Sequence, residues 1–577
     1  MTMGRMDRCL LYLKNVGTDG MSVWQSPLRT VIIGLDGGTF DLVRPWAEAG
    51  LLPTFNRLME EGSWGHLRST MPPITAPAWS SFITGKNPGK HGVIDFVFRR
   101  PGSYDVSPVN ASLRQGRSLW SLLSGGGKTV VVVNVPLTYP PEPVKGCMVT
   151  GLLTPSERSN FTYPPELADT LRESGYRIHA PQSYARGDID RFLQAIYETT
   201  EVQLTALQRL MNGQPWDFLM YVFRGPDRLQ HGLWHFMDAD HPLHGAPGTD
   251  RYRDAILEHY QYVDRKLAGL LAQLDERTVL VLMSDHGAGP FHKYIYMNNW
   301  LRRWGLLQMQ TGTVTRLKGA MFALGITPIT VYNLMLRLGL GGLKGQVTKG
   351  RGQKKLSHIF PSFKDVDWSR TKVYSLGNAG QLWVNLQGRE PMGTVAPGGE
   401  YEAVRQDVIE RLLTMRDPET GEQLVGDAYT REMLYHGPYL ERMPDIVFVP
   451  QGFRYLSFGE YEFASHRLID VSYGITGWHR QEGIVLLHGA PVRAGGRCLR
   501  EACLEDVAPT VLYLMGQLIP ADMDGRVLTE ALQQEWIDPV RLTPAEADAS
   551  DVRQHNGFSA ADEEAVRQRL QDLGYLG

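Results

Sequence analysis

Six ionisable side chains stand at or just beyond the ends of apolar runs: Asp36 in GLDGG, Asp227 and His231 in GPDRLQH, Asp285 and His286 in MSDHG, and His479 in TGWHRQEG. Three carboxylates and three imidazoles form a donor set for two divalent ions. The mixture suits Zn2+, and Mn2+ or Fe is also compatible with it. Two ions roughly 3.5 to 4 Å apart stabilise both the entering and the leaving oxygen of an in-line displacement, so the chemistry to expect is phosphoryl transfer. Taken singly, most of these residues have an ordinary alternative. Asp36 could cap the next helix, Asp227 and His231 could be a surface pair four residues apart, and His479 could be a hydrogen-bonded loop histidine. Asp285 with His286 carries more weight, because two adjacent polar groups ending a buried strand need partners. His235, four residues beyond His231, competes with it as a ligand. Thr75, in PPITAPAW, enters an apolar helix after a proline-restrained approach. Its hydroxyl becomes a useful nucleophile when a metal lowers its proton affinity; otherwise it reads as a helix cap.

These residues need a scaffold that gathers strand ends. Apolar runs at 30–38, 129–136, 217–227, 278–287 and 482–489 alternate with helical stretches, the pattern of an α/β fold with a mostly parallel sheet sandwiched by helices. In such sheets ligands bind beyond the carboxyl ends of the strands. The rhythm breaks between Trp300 and Trp368, where a charge-free stretch at 319–336 is followed by the basic KGRGQKK at 349–355. This is read as an inserted helical cap over 301–368. Pro328, Thr327, Thr330 and Asn333 argue against a membrane span. Contact of the 316–355 segment with a membrane surface, or with a lipid head group through Lys349, Arg351, Lys354 and Lys355, is the less favoured alternative. The expected organisation is a flexible leader at 1–28, a discontinuous core at 29–300 and 369–535, the cap, and a polar C-terminal tail at 536–577 with one short helix.

The 577 residues carry 59 Lys and Arg against 62 Asp and Glu, a net charge of -3, which excludes an electrostatic nucleic-acid footprint. With 42% hydrophobic and 21% charged residues, the chain is neither wholly disordered nor polytopic in a membrane. Cys9, Cys147, Cys498 and Cys503 are too scattered for a disulfide framework, which fits a reducing, cytoplasmic setting. No heptad or apolar stripe predicts an oligomeric state.

The order LDGG, ITAPAWSSFITGKNPGKHG, GPDRLQH, SDHGAGP, GWHRQEG and EDVAPTVLYLMGQLIPADMDGR resembles the alkaline phosphatase superfamily. Within it, the chain is most similar to the branch of type I phosphodiesterases and nucleotide pyrophosphatases and to its phosphohydrolase or phosphomutase group. The resemblance implies an alkaline-phosphatase-like fold and two zinc ions. Asp36, Thr75, Asp285 and His286 would hold one ion, with Thr75 as the nucleophile, and Asp227, His231 and His479 the other. It implies a small phosphorylated substrate and a phospho-threonine intermediate. Trp79 stands where sulfatases of the superfamily have Arg. Diesterases commonly place an Asn shortly after the HG turn, whereas Asp95 or Phe96 stands there in this chain. An ionised carboxylate cannot donate to a phosphate oxygen, so the donor is sought among Lys90, Arg99, Arg224, Arg228 and Lys293, with Asp95 kept as a pocket residue. Two alternatives share the same core: a phosphomutase or phosphotransferase, and a catalytically silent binding protein.

Overall fold

The computed structural model describes residues 28–180, 188–328, 330–331, 359–457, 459, 463–472, 474–546 and 556–575. The basic stretch at 349–355 and the leader, apart from Leu28, lie outside the described residues.

Nine strands make the central sheet: β1 (Arg29–Leu35), β2 (Ser63–Arg68), β3 (Val130–Val135), β4 (Gly146–Thr150), β5 (Thr162–Tyr163), β6 (Phe218–Phe223), β7 (Thr278–Met283), β8 (Glu482–His488) and β9 (Gly496–Cys503). Their order is β9-β2-β8-β7-β1-β6-β3-β4-β5. The run from β7 through β1, β6 and β3 to β4 is parallel, as is β2 with β9. β8 enters antiparallel between β2 and β7, and β5 is antiparallel to β4. The expected mostly parallel sheet between helices is therefore the observed one.

The strands at its centre are apolar on both faces, which is why they read as continuous runs in the sequence. Val31, Ile33, Leu219, Tyr221, Leu280 and Leu282 pack into one hydrophobic cluster, and Ile32, Met220, Val222, Val279 and Val281 into the cluster on the other face. Full burial of such an aliphatic side chain contributes about 1.5–3 kcal/mol. Helix α1 (Thr75–Thr84) is buried along its whole length and lies close on the second face. A Cβ at Gly34 would come within 2.7 Å of the Trp79 ring, so glycine there sets how near α1 approaches the sheet.

Of the segment read as a helical cap over 301–368, residues 329 and 332–358 lie outside the described residues. Described helices do occur at Met297–Arg303 and Thr313–Ala323, but the same hydrophobic cluster continues through Val373, Leu382, Val408 and Ile446 to Phe463. Strands Val373–Ser375, Gln381–Val384, Val425–Thr430 and Ile446–Pro450 form a separate four-stranded antiparallel sheet, with helix Gly399–Leu413 packed on it. Residues 369–450, read from the sequence as core, thus belong to an α+β lobe. Strands as short as Val373–Ser375 resemble loop sequence, and the chain returns to the main sheet beyond them with β8 and β9. No helix among the described residues is long and apolar enough to cross a membrane.

The segment read as a polar tail also packs. Helix α3 (Ala560–Leu573) buries Val566 and Leu570 against Ile74, Phe96 and Trp478. Arg569 donates to the carbonyl of Pro155 at 3.1 Å and also to that of Thr154.

Candidate metal centre

β7, β1 and β6 are adjacent and parallel, so their carboxyl ends open on one edge of the sheet. Asp36 directly follows β1. The next residue, Gly37, has φ +70° and donates its N–H to Asp285 Oδ1 at 3.3 Å; a Cβ there would press on the Asp227 backbone. Asp227 sits in the first turn of α2 (Gly225–Met237) after β6, and His231 follows one turn later on the same face. Beyond β7 and the Asp285–His286 pair, strand Gly287–Pro290 pairs antiparallel with Gly477–Arg480. Its register sets Ala288 opposite His479 and so returns a residue from far along the chain to the cluster. Thr75 is the first residue of α1, whose cap is Ile74, so its hydroxyl is not used in capping. It lies 3.3 Å from His286 Nε2.

The predicted ligands come together and are all buried. Asp227 Oδ1 lies 3.1 Å from His231 Nε2 and 3.4 Å from His479 Nε2, and the two imidazole nitrogens are 3.0 Å apart. This is the expected set Asp227, His231 and His479. A second convergent group consists of Asp36, Asp227 and His286, so Asp227 faces both sets. Asp285 stands beside the second group, with Oδ2 3.3 Å from His286 Nε2. The rings of His286 and His479 stack at 3.6 Å between centroids.

The electrostatics favour cations here. His231, His286 and His479 each direct Nδ1 to a backbone carbonyl, of Gly477 at 2.8 Å, Gly287 at 3.0 Å and Pro73 at 2.7 Å. A carbonyl only accepts, so Nδ1 carries the proton and each Nε2 turns a lone pair into the cluster. Burial holds the pKa of His286 well below the ordinary value, with His479 adding to the effect, and burial likewise depresses His479. Burial raises Asp36, helped by Asp285 and Asp227, and burial with Asp227 raises Asp285. Burial also works against the Asp227 carboxylate, but His231 and His479, once they take up a second proton, outweigh it and hold that pKa well below the usual range. Asp36 Oδ1 and Asp285 Oδ2 are buried with no hydrogen-bond partner. Converging lone pairs and orphaned carboxylate oxygens suit divalent ions.

The other predicted residues are placed differently. Lys90 is held by Asp524 and by the carbonyl of Asp522. Arg99 pairs with Glu390 and lies 4.8 Å over the Trp383 ring, and Lys293 meets Asp417 at 2.7 Å; both tie the core to the lobe. Asp95 is buried and accepts from the backbone N–H of Asn378 at 2.6 Å, from its side chain at 2.8 Å and from Gln381 Nε2 at 2.7 Å, which fixes it as a joint between core and lobe. Arg228 lies over the Phe192 ring. His235 turns to Thr476 Oγ1 at 3.1 Å instead of joining the ligands. Arg224, just before α2, interacts electrostatically with Asp36 and Asp227; its Nε is buried without a partner. Tyr575, which the sequence reading did not single out, reaches the cluster. Its hydroxyl lies 3.1 Å from Asp227 Oδ2 and 3.2 Å from His231 Nε2. The available signal was the Val566 and Leu570 pair on one helix face, followed by a glycine and a tyrosine.

A carboxylate and imidazole cage at the strand ends of a doubly covered α/β sheet, with a buried threonine hydroxyl inside it, defines a candidate metal-dependent phosphoryl-transfer centre. The family model for type I phosphodiesterase / nucleotide pyrophosphatase matches residues 30–479, most of the chain, and the protein belongs to that family. Among curated relatives, ectonucleotide pyrophosphatase/phosphodiesterase family member 1 of Rattus norvegicus is 24% identical over 392 residues, 65% of this chain and 37% of the relative. Its Mus musculus counterpart is 26% identical over 307 residues, 51% of this chain and 28% of the relative. The chain thus aligns with only about a third of the length of these relatives. Phosphonoacetate hydrolase from Sinorhizobium meliloti shares the fold, with a TM-score of 0.51 at 16% identity, covering 85% of this chain and 96% of that one.

Proposed function

We propose that the protein is a two-metal phosphohydrolase that cleaves phosphodiesters or pyrophosphate-linked compounds through a phospho-threonine intermediate at Thr75. The observation that carries this reading is the placement of Thr75 Oγ1, buried at the head of α1 and 3.3 Å from His286 Nε2, beside the convergent ligands. Asp227, His231 and His479 would hold one ion, and Asp36, Asp285, His286 and Thr75 the other, with Zn2+ favoured by the donor types. Such ions, when bound, lower the proton affinity of a coordinated hydroxyl and offset charge on the transferring phosphoryl group.

The protein's own groups supply the rest. Thr75 Oγ gives up its proton and attacks phosphorus as the bond to one ester or anhydride oxygen breaks and that group leaves; water then cleaves the bond between Thr75 Oγ and phosphorus, releasing the remaining phosphomonoester and restoring the hydroxyl. Arg224, partnerless at Nε and next to the carboxylates, is suited to orient a non-bridging oxygen. The Pro73 carbonyl and the Gly477 carbonyl hold the His479 and His231 rings in register. The free thiols of Cys147, Cys498 and Cys503 support a reducing, cytoplasmic setting.

The test is a panel of mono- and diesters, nucleotides and phosphonates, run on protein of measured metal content, with mass spectrometry of acid-quenched enzyme. Diester turnover with the substrate's phosphomonoester portion attached to the peptide bearing Thr75 is the expected result. A metal-replete protein inactive on the whole panel overturns the reading.

A further inference from the structure

Tyr575 is delivered to the metal centre by a dedicated piece of structure. Helix α3 starts at the Ser559 cap, whose hydroxyl accepts from Asp562 N, and docks through the buried Val566 and Leu570. It ends at Gly574, with φ +84°, and the Tyr575 N–H closes back on the Leu570 carbonyl at 2.8 Å. That left-handed residue turns the chain inward. The Tyr575 ring then lies 4.4 Å from that of Phe96, edge-on to His231, and is 3% exposed.

Its hydroxyl meets an excess of acceptors. Because Nδ1 of both His231 and His479 is committed to a carbonyl, their Nε2 lone pairs face one another at 3.0 Å, with the Asp227 carboxylate alongside. One phenolic proton cannot satisfy three acceptors, whereas a cation can. The distances bear on where the phenol oxygen would stand relative to that cation. An ion bound to nitrogen and oxygen at about 2.0–2.2 Å has neighbouring tetrahedral ligands about 3.3 Å apart. Tyr575 Oη is 3.1 Å from Asp227 Oδ2 and 3.2 Å from His231 Nε2, the spacing of one ligand from the next and too long for the position of the ion itself.

We propose that Tyr575 supplies the fourth, displaceable ligand to the ion held by Asp227, His231 and His479, at the position that water or a substrate oxygen takes in an open catalytic site. The inference rests on the metal-centre reading above. Helix α3 is then part of the active site, and a phosphate oxygen must displace the phenol to reach this ion.

The test uses the full chain loaded with Co2+, whose visible absorption reports coordination directly. Y575F keeps the ring packed on Phe96 and removes only the oxygen. It should still bind two equivalents, one of them at least about tenfold more weakly, with visible bands that differ from those of the unaltered protein. In the unaltered protein, inorganic phosphate should shift the visible bands and the near-ultraviolet tyrosine absorption together. This second measurement decides the matter if Y575F does not fold. Identical bands and affinities in Y575F, or a phosphate response with no tyrosine component, overturn the ligand assignment and leave the metal centre standing. Failure of the unaltered chain to bind Co2+ overturns the metal-centre reading itself.

Discussion

Thr75 Oγ1 and His286 Nε2 lie 3.3 Å apart although 211 residues separate them in the chain. One residue opens α1, packed on the sheet, and the other follows β7 within it. The pair therefore measures how well α1 is seated, and the close approach of Trp79 to Gly34 is one of the contacts that seat it.

Thr75→Ala should lower diester turnover by about a thousandfold or more while leaving the melting temperature close to that of the parent, because the hydroxyl caps nothing. Thr75→Ser should retain part of the rate. Turnover and calorimetry on the same preparations check this. Equal rates in the parent and the alanine variant would remove Thr75 as the nucleophile.

Asp227 faces both ligand groups, whereas Asp36 belongs to one of them. Asp227→Ala should therefore lose the ion held with His231 and His479 and also weaken the second, whereas Asp36→Ala should affect only one, as read by elemental analysis after dialysis. Chelation of the parent should lower its stability, since a ligand at a hundred times its dissociation constant stabilises the folded state by about 2.7 kcal/mol. Full retention of two ions in the Asp227 variant is the outcome that counts against the shared ligand.

The ligands were legible in the sequence because each is ionisable and stands next to a run of buried strand residues, a contrast that burial physics enforces. The central strands were legible for the same reason. The lobe was not, because strands such as Val373–Ser375 have too few residues to show a period. Partners across the fold were not legible either. Lys90, Arg99 and Lys293 look like free cations in the sequence, but Asp524, Glu390 and Asp417 hold them. Tyr575 was hidden because one aromatic residue after a polar helix has an ordinary reading, and only the turn at Gly574 directs it inward.

Asp95 stands where the resemblance expects a phosphate donor, yet its carboxylate is consumed by Asn378, Gln381 and the Phe96 N–H. Asp95→Ala would leave these buried donors unsatisfied, at about 3–5 kcal/mol in total. The lobe joint should loosen, with faster proteolysis between residues 373 and 450 and a lower urea midpoint. An unchanged cleavage pattern would show that other contacts hold the lobe.

His91 makes the acid side of the stability curve predictable. The ring is fully buried; Nδ1 accepts from the Val93 N–H at 3.2 Å, so Nε2 must carry the proton and donate to Ser81 Oγ at 3.0 Å. A second proton has no acceptor to meet. Burial pushes the pKa down to about 3, Arg114 and Lys86 push the same way, and Asp524 opposes them. The unfolded value is about 6.5, so the folded state binds fewer protons between the two. The contribution is fully present above about pH 6.5 and is lost as pH falls from there towards 3. At pH 5 the loss amounts to about 2 kcal/mol from this one residue. Metal release at acid pH and the raised carboxylates Asp36 and Asp285 also change stability in this range, so the informative quantity is a difference of differences. Urea unfolding with chelator present, at pH 7.5 and pH 5.0, should show His91→Gln less stable than the parent at the higher pH but less sensitive to acidification by about that amount. Equal pH sensitivity in the two proteins would mean that the ring gains its second proton without penalty, contrary to its burial and its hydrogen bonds.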